Sequence, residues 1–201
     1  LGVNSQDTAE SMQQLTLGLG MSIEQAQAAQ EEFIAFAREL EIGPVQAMAD
    51  FAKGTVLLAS RGEDAIDVLK GLEVQSRATG IATEELISIA SKYDTFEGAA
   101  THVGRLNGLL GGAYLNSIEM VYAKEDERIQ LVKDALVQSG KSFDAMTHHE
   151  RQAIATAAGI GSVAEAQKIF NGEADSPAAK EAAARQKDLA AQARAMKDIM
   201  D

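Results

Sequence analysis

The sequence predicts an all-α fold: an irregular array of about eight to ten short helices, followed by a longer Ala-rich C-terminal helix. Three observations lead there. Only two prolines interrupt 201 residues, and no stretch shows the strict apolar–polar alternation of a strand. Apolar residues recur instead at spacings of three and four. Finally, one junction keeps returning: Gly, an apolar residue, then Ser or Thr. It is seen at Gly2-Val3-Asn4-Ser5, Gly20-Met21-Ser22, Gly80-Ile81-Ala82-Thr83 and Gly159-Ile160-Gly161-Ser162. Such a junction ends one helix and starts the next. Gly takes the left-handed position, the apolar residue folds back, and the hydroxyl caps the new N–H groups.

The helices follow in order. Ser22 to Leu40 is the clearest amphipathic segment, with Ala26, Ala29, Phe33, Phe36, Ala37 and Leu40 inward and Glu31, Glu32 and Glu39 solvated. Glu41-Ile42-Gly43-Pro44 is a further junction, with Pro at the first helical position of a helix to about Ala59. The segment from Glu63 to Thr79 turns Ile66, Leu69 and Leu72 inward, and Glu63, Asp64 and Asp67 favour its N-terminal dipole. A shorter helix runs from Thr83 to Tyr93. Glu125 opens a helix that Gly140 stops. Thr147-His148-His149-Glu150 and Ser162-Val163-Ala164-Glu165 match the capping box.

The composition shifts after Asp175. Residues 1–172 form a multi-helix domain, with a candidate division into 1–93 and 94–172, and residues 173–201 form a spacer helix. In the latter, Ala179, Ala182, Gln186, Leu189, Ala193, Met196 and Met200 alternate at three and four. That is a short coiled-coil seam with one polar layer, the alternative being a lone surface helix. The chain opens on Leu1 and stops inside a helical pattern, which reads as a piece of a longer protein.

Composition excludes several functions. The net charge of −12 argues against direct nucleic-acid binding, and the absence of Cys removes disulfides and thiolate metal sites. No apolar run reaches the ~18–20 residues of a membrane span. Ser139-Gly140-Lys141-Ser142 resembles the end of a phosphate-binding loop, but Ala135 stands where its first glycine belongs. His148 and His149 are adjacent and project about 100° apart on a helix, so they cannot share a metal. The acidic clusters at Glu31-Glu32, Glu63-Asp64 and Glu125-Asp126-Glu127 fit solvated helix faces or N-termini. The reading is of a protein without catalytic, cofactor or metal site.

The densest stretch is His102 to Tyr122, which holds four of the 17 glycines. Ala100, Gly104, Gly108 and Gly112 fall four apart, leaving one helix face without side chains. Each helical glycine costs roughly 0.5–1 kcal/mol relative to alanine, so the row needs a reason. Close packing of two helices within the domain is the first reading, a subunit contact in a homo-oligomer the second, and membrane insertion the third. Since glycines elsewhere end helices, Gly111-Gly112 also reads as a stop, with a second short helix from about Leu115. Tyr114, Leu115 and Asn116 complete the candidate packing and interaction residues.

This stretch resembles a helical region of tail tape-measure (tail length-determining) proteins of tailed phages and related virion structural proteins. The residues that carry the resemblance are Val103-Gly104-Arg105-Leu106-Asn107, Leu110-Gly111-Gly112, Tyr114 through Tyr122 and Glu125-Asp126-Glu127-Arg128. It continues through Ser139-Gly140-Lys141-Ser142-Phe143, Ile154-Ala155 and Ala158-Gly159-Ile160, and more weakly through Lys70-Gly71-Leu72-Glu73 and Thr79-Gly80-Ile81. Ala113 stands where such sequences are expected to carry a proline, and the helix from Ser176 lies outside the match. The resemblance implies a structural role: a long helical chain in the tail lumen that sets tail length and templates the tube. It implies tail tube and baseplate hub proteins as partners, a place in the virion, and a soluble state in host cytoplasm during assembly. It carries over no catalytic residue. A compact 201-residue domain has a radius of gyration of roughly 16–17 Å, too wide for a lumen sized to a DNA duplex, so such a segment is expected to stretch on ejection.

Overall fold

The computed structural model describes residues 5–171. The junction starting at Gly2, the predicted helix over 173–201 and its seam residues Gln186, Leu189, Ala193, Met196 and Met200 lie outside the described residues. Among the described residues the chain is helical throughout, with no strand. The helices are α1 (Ser5–Gln13, continued by a π-turn over Gln14–Gly18), α2 (Ile23–Glu39), α3 (Pro44–Leu57), α4 (Ala65–Thr79), α5 (Thr83–Ala90), α6 (Phe96–Leu110), α7 (Ser117–Tyr122), α8 (Glu125–Gln138), α9 (His148–Ala157) and α10 (Val163–Asn171). Short 3₁₀ turns over Ala59–Asp64, Ser91–Tyr93 and Phe143–Ala145 join them.

Local chemistry sets most boundaries. Gly20, Gly80, Gly111, Gly140 and Gly159 all take positive φ after a helix, as the junction pattern requires. Ser22 and Thr147 cap α2 and α9 in complete capping boxes with Gln25 and Glu150. Pro44 sits in the first turn of α3.

Two junctions depart from expectation. After α2 the left-handed residue is Glu41, at φ 60, while Gly43 is extended. Ile42 N still donates back to the Ala37 carbonyl at 2.9 Å, so the closing bond survives without glycine. Arg77 braces the site: its Nε donates to the Leu40 carbonyl at 2.9 Å and its Nη2 to Glu41 at 2.9 Å. Before α5 the N-cap is Ala82, and Thr83 makes no cap. Its hydroxyl donates to Glu73 at 2.9 Å instead.

Glu63 and Asp64 also fall in a 3₁₀ turn ahead of α4, outside the helix they were expected to start. Of the cluster at Glu125-Asp126-Glu127, Glu127 is exposed as expected and the other two are not. Glu125 is 6% exposed and paired with Arg61 at 2.8 Å, and Asp126 is half-buried. The competing force is tertiary: α8 lays its first turn against α4, and its acids are carried inward with it.

α4 is the hub. It packs against α2, α3, α5, α8 and α10, and its Ala65, Val68, Leu69 and Leu72 are buried. α1 and α2 pack on α3, where the Phe33 and Phe51 rings meet at a tilt of 44° with centroids 4.7 Å apart. Each such ring buried contributes about 1.5–3 kcal/mol. α8 closes over α4 and α5, while α6, α7, α9 and α10 complete the other end. One apolar cluster runs through both stretches 5–93 and 94–171, from Leu15 and Phe33 to Tyr93, Ile129 and Ile169. Close helix approach depends on two glycines the sequence did not single out. A methyl group at Gly54 would overlap Leu69 Cδ1, and one at Gly71 would overlap the Asp126 carboxylate.

Candidate functional site

The predicted interaction residues lie on α6, on the turn after it, and at the start of α7. Thr95 caps α6 by accepting from Gly98 N at 3.0 Å. Val103, Leu106 and Leu110 anchor the helix in the core, which fixes the opposite face toward solvent. Ala100, Gly104 and Gly108 occupy that outer face and are exposed. A Cβ added at Gly104 or Gly108 would meet nothing within 4 Å. The first reading of the row, close packing on another helix of the domain, is therefore corrected. The core-facing side of α6 is made by larger side chains, and the glycines stay open.

Gly104 and Gly108 instead form the floor of a shallow groove of about 620 Å³ between α6 and α9. Its walls include Arg105 and Leu109 from α6 and His149, Gln152 and Thr156 from α9. Beneath it His102 Nδ1 lies 2.7 Å from the Ala157 carbonyl, and Tyr93 Oη donates to the Ala158 carbonyl at 3.2 Å. A carbonyl only accepts, so Nδ1 carries the imidazole proton. Burial pushes the Tyr93 hydroxyl well above its ordinary pKa. The first bond pins the C-terminal end of α9 to α6, and the second pins it to the 3₁₀ turn over Ser91–Tyr93.

Gly112 leaves the row. It is half-buried against the Tyr114 ring, where an added Cβ would come within 2.8 Å of two ring carbons. The turn around it is organised by Asn107. Asn107 Oδ1 accepts from Tyr114 N and Leu115 N at 3.0 Å each, and its Nδ2 donates to the Leu115 carbonyl at 2.8 Å. Its backbone carbonyl accepts from Gly111 N and Gly112 N. Leu115 is buried, and Asn116 caps α7 by accepting from Ile118 N and Glu119 N. Both asparagines of the Leu106-Asn107 to Leu115-Asn116 motif thus have side-chain bonds to make between α6 and α7.

Past α7, Arg128 is 1% exposed and spends its guanidinium on backbone carbonyls. Nε donates to Met120 O at 2.8 Å, Nη1 to Ala90 O at 3.0 Å and Nη2 to Val121 O at 2.9 Å, while Nη1 also pairs with Asp94. One cation satisfies carbonyls at the ends of α5 and α7. Arg61 does similar work nearby, reaching Glu125 and the Ala123 carbonyl.

Two features escaped the sequence reading. Arg128 lies on the buried stripe of α8 with Ile129, Val132 and Ala135, so a cation at an apolar register was the available signal. Glu73 likewise follows Leu69 by four on α4 and is 1% exposed. Burial and the facing Asp50 push its carboxyl up to about 7, against the pull of the Thr83 hydroxyl. Asp126 is pushed up to about 6 by burial and by Glu127.

His148 and His149 are exposed, as expected. No group of three His, Cys, Asp or Glu that could hold a metal occurs among the described residues, and none of the described helices is long and apolar enough to cross a membrane. No family model, no curated protein and no solved structure matches this chain.

Proposed function

We propose that this chain is a structural segment of a phage tail tape-measure protein, which helps set tail length and assemble the tail tube and performs no catalysis. The observation that carries the reading is the Asn107 turn. The residues that resemble the tape-measure region, from Val103 to Arg128, are those that clasp α6, α7 and α8 to one another through side chain–backbone bonds. A motif spent on architecture suits a protein whose work is to be a helical body of defined length. The partners on this reading are tail tube and baseplate hub proteins, and its place is the virion tail.

Mass spectrometry of purified tails from a phage encoding this sequence tests the proposal. Peptides from residues 5–171 are expected in stoichiometric amount with other tail proteins. Tails that assemble at normal length without them overturn it.

A second reading, a non-catalytic helical adaptor in virion assembly, draws on the open groove over Gly104 and Gly108. It expects Gly108→Leu to fold normally and block assembly, whereas normal assembly with that variant removes this reading.

A further inference from the structure

A second concavity, of about 320 Å³, lies where α3, α4 and α5 meet. Its polar groups come from separate elements: Asp50 from α3, Glu73 and Ser76 from α4, and Thr83 from α5. Ile42 and Ile81 supply apolar wall. Glu73 is 1% exposed, and only its Oε1 is bonded, to the Thr83 hydroxyl. Its second oxygen lines the pocket without a hydrogen-bond partner among the described residues.

Among the described residues, the nearby cations are bonded elsewhere. Arg77, at the rim, is held by the Leu40 carbonyl and Glu41. Lys53 acts on Asp50 from the surface, where it is bridged to Glu84 at 3.1 Å. Asp50 otherwise accepts only from Gln46, at 2.7 and 2.9 Å. Two carboxyl groups therefore share a pocket with hydroxyls, and the cation that lines it among the described residues, Arg77, is bonded to Leu40 and Glu41, an arrangement that costs stability unless a further cation arrives.

We propose that this pocket binds a cationic group on an apolar stem, an alkylammonium or alkylguanidinium, with its head at Glu73 and Asp50 and its stem along Ile42 and Ile81. The chemistry of the walls selects this class. A volume of this size with two carboxylates is too roomy and too poor in ligands to cage a bare divalent ion. An ammonium instead takes its hydrogen bonds from carboxylate and hydroxyl oxygens, and its methylenes need an apolar surface. Burial pushes both carboxyl groups up, and Asp50 adds to the rise at Glu73. Cation binding draws Glu73 into its ionised form and releases its proton.

The test uses n-butylammonium and n-butylguanidinium chlorides as probes, with sodium chloride at equal ionic strength as the control. At pH 8 the melting temperature is expected to rise saturably with probe and not with sodium. At pH 5, where Glu73 holds its proton, apparent affinity should fall at least tenfold. Glu73→Gln should lose the effect, and Asp50→Asn should weaken it severalfold. The carboxyl carbon resonance of Glu73 should shift toward the ionised value on titration. No saturable response, or an equal response in Glu73→Gln, overturns the proposal. A lysine-containing hexapeptide run alongside separates the sources: tighter binding than butylammonium assigns the site to a partner's side chain, equal binding to a free amine. The outcome is independent of whether the chain is a tail segment.

Discussion

Asn107 and Leu115 exchange two hydrogen bonds across eight residues: Asn107 Nδ2 donates to the Leu115 carbonyl at 2.8 Å, and Leu115 N returns a donor to Asn107 Oδ1 at 3.0 Å. A side-chain amide here takes the place of a backbone partner, and no other side chain of this size offers both a donor and an acceptor in that plane. Asn107→Asp keeps the acceptor and sets an oxygen against the Leu115 carbonyl. Asn107→Ala loses all three bonds. Either variant should lower unfolding free energy by about 2–4 kcal/mol in urea titrations. A loss below 1 kcal/mol would show the turn to be held by other contacts.

The glycines divide into two classes with opposite responses. Gly104→Ala and Gly108→Ala add a methyl into open space and remove a poor helix former, so each should stabilise by about 0.5–1 kcal/mol. Gly54→Ala drives its methyl into Leu69 and should destabilise by about 1–3 kcal/mol despite the same gain in propensity. Thermal melts of the three single variants decide the matter by sign alone.

Stability should fall as pH rises from mildly acidic to neutral. Glu73 has a folded pKa of about 7 against an ordinary 4.5, and Asp126 about 6 against 3.8. In both, the folded state holds its proton more tightly than the unfolded chain. Their stabilising contribution is complete below the unfolded values and is lost as pH climbs through the folded ones. The loss is on the order of 3 kcal/mol for each group. Glu73→Gln should flatten the profile between pH 5 and 7 and exceed the wild type at pH 8. Denaturant midpoints measured across that range are the check, and a parallel profile in the variant would refute the assignment.

Arg128 is a fully buried cation bonded to three backbone carbonyls. Arg128→Ala strands the buried carbonyls of Ala90 and Met120 and the part-buried carbonyl of Val121, at a cost of about 3–5 kcal/mol. Arg128→Lys should recover little, because a single ammonium cannot span groups that three guanidinium nitrogens reach. Hydrogen exchange should then show α7 opening first. Near-native protection of α7 in the lysine variant would contradict this.

Helix ends were legible because their chemistry is local. Gly20, Gly80, Gly140 and Gly159 stop helices by a backbone preference that needs no partner, and Ser22 and Thr147 cap with neighbours three residues away. Thr83 shows where that reasoning stops. Its sequence context is that of a cap, but buried Glu73 offers a better acceptor, and a neutral junction can cap itself on backbone alone. The same limit governs the glycines. Their positions are visible in sequence, but which of them faces a neighbour depends on how α3, α4 and α8 cross. Thus the close contacts at Gly54 and Gly71 have no mark in the sequence, while the regular row at Gly104 and Gly108 opens onto empty space. Glu73 and Arg128 were readable in principle as charges on apolar stripes. Their partners, contributed by other helices, were not.

Arg128 also determines how this body should give way under load. Apolar contacts yield gradually, because a ring displaced by an ångström keeps part of its contact, whereas a hydrogen bond stretched equally is gone. The guanidinium gathers the closing bonds of α5 and α7 into one side chain on α8. Tension that extracts it releases both helix ends together, so pulling the chain from its termini should produce one abrupt step at this point. A single residue thus acts as the mechanical fuse for the ends of α5 and α7.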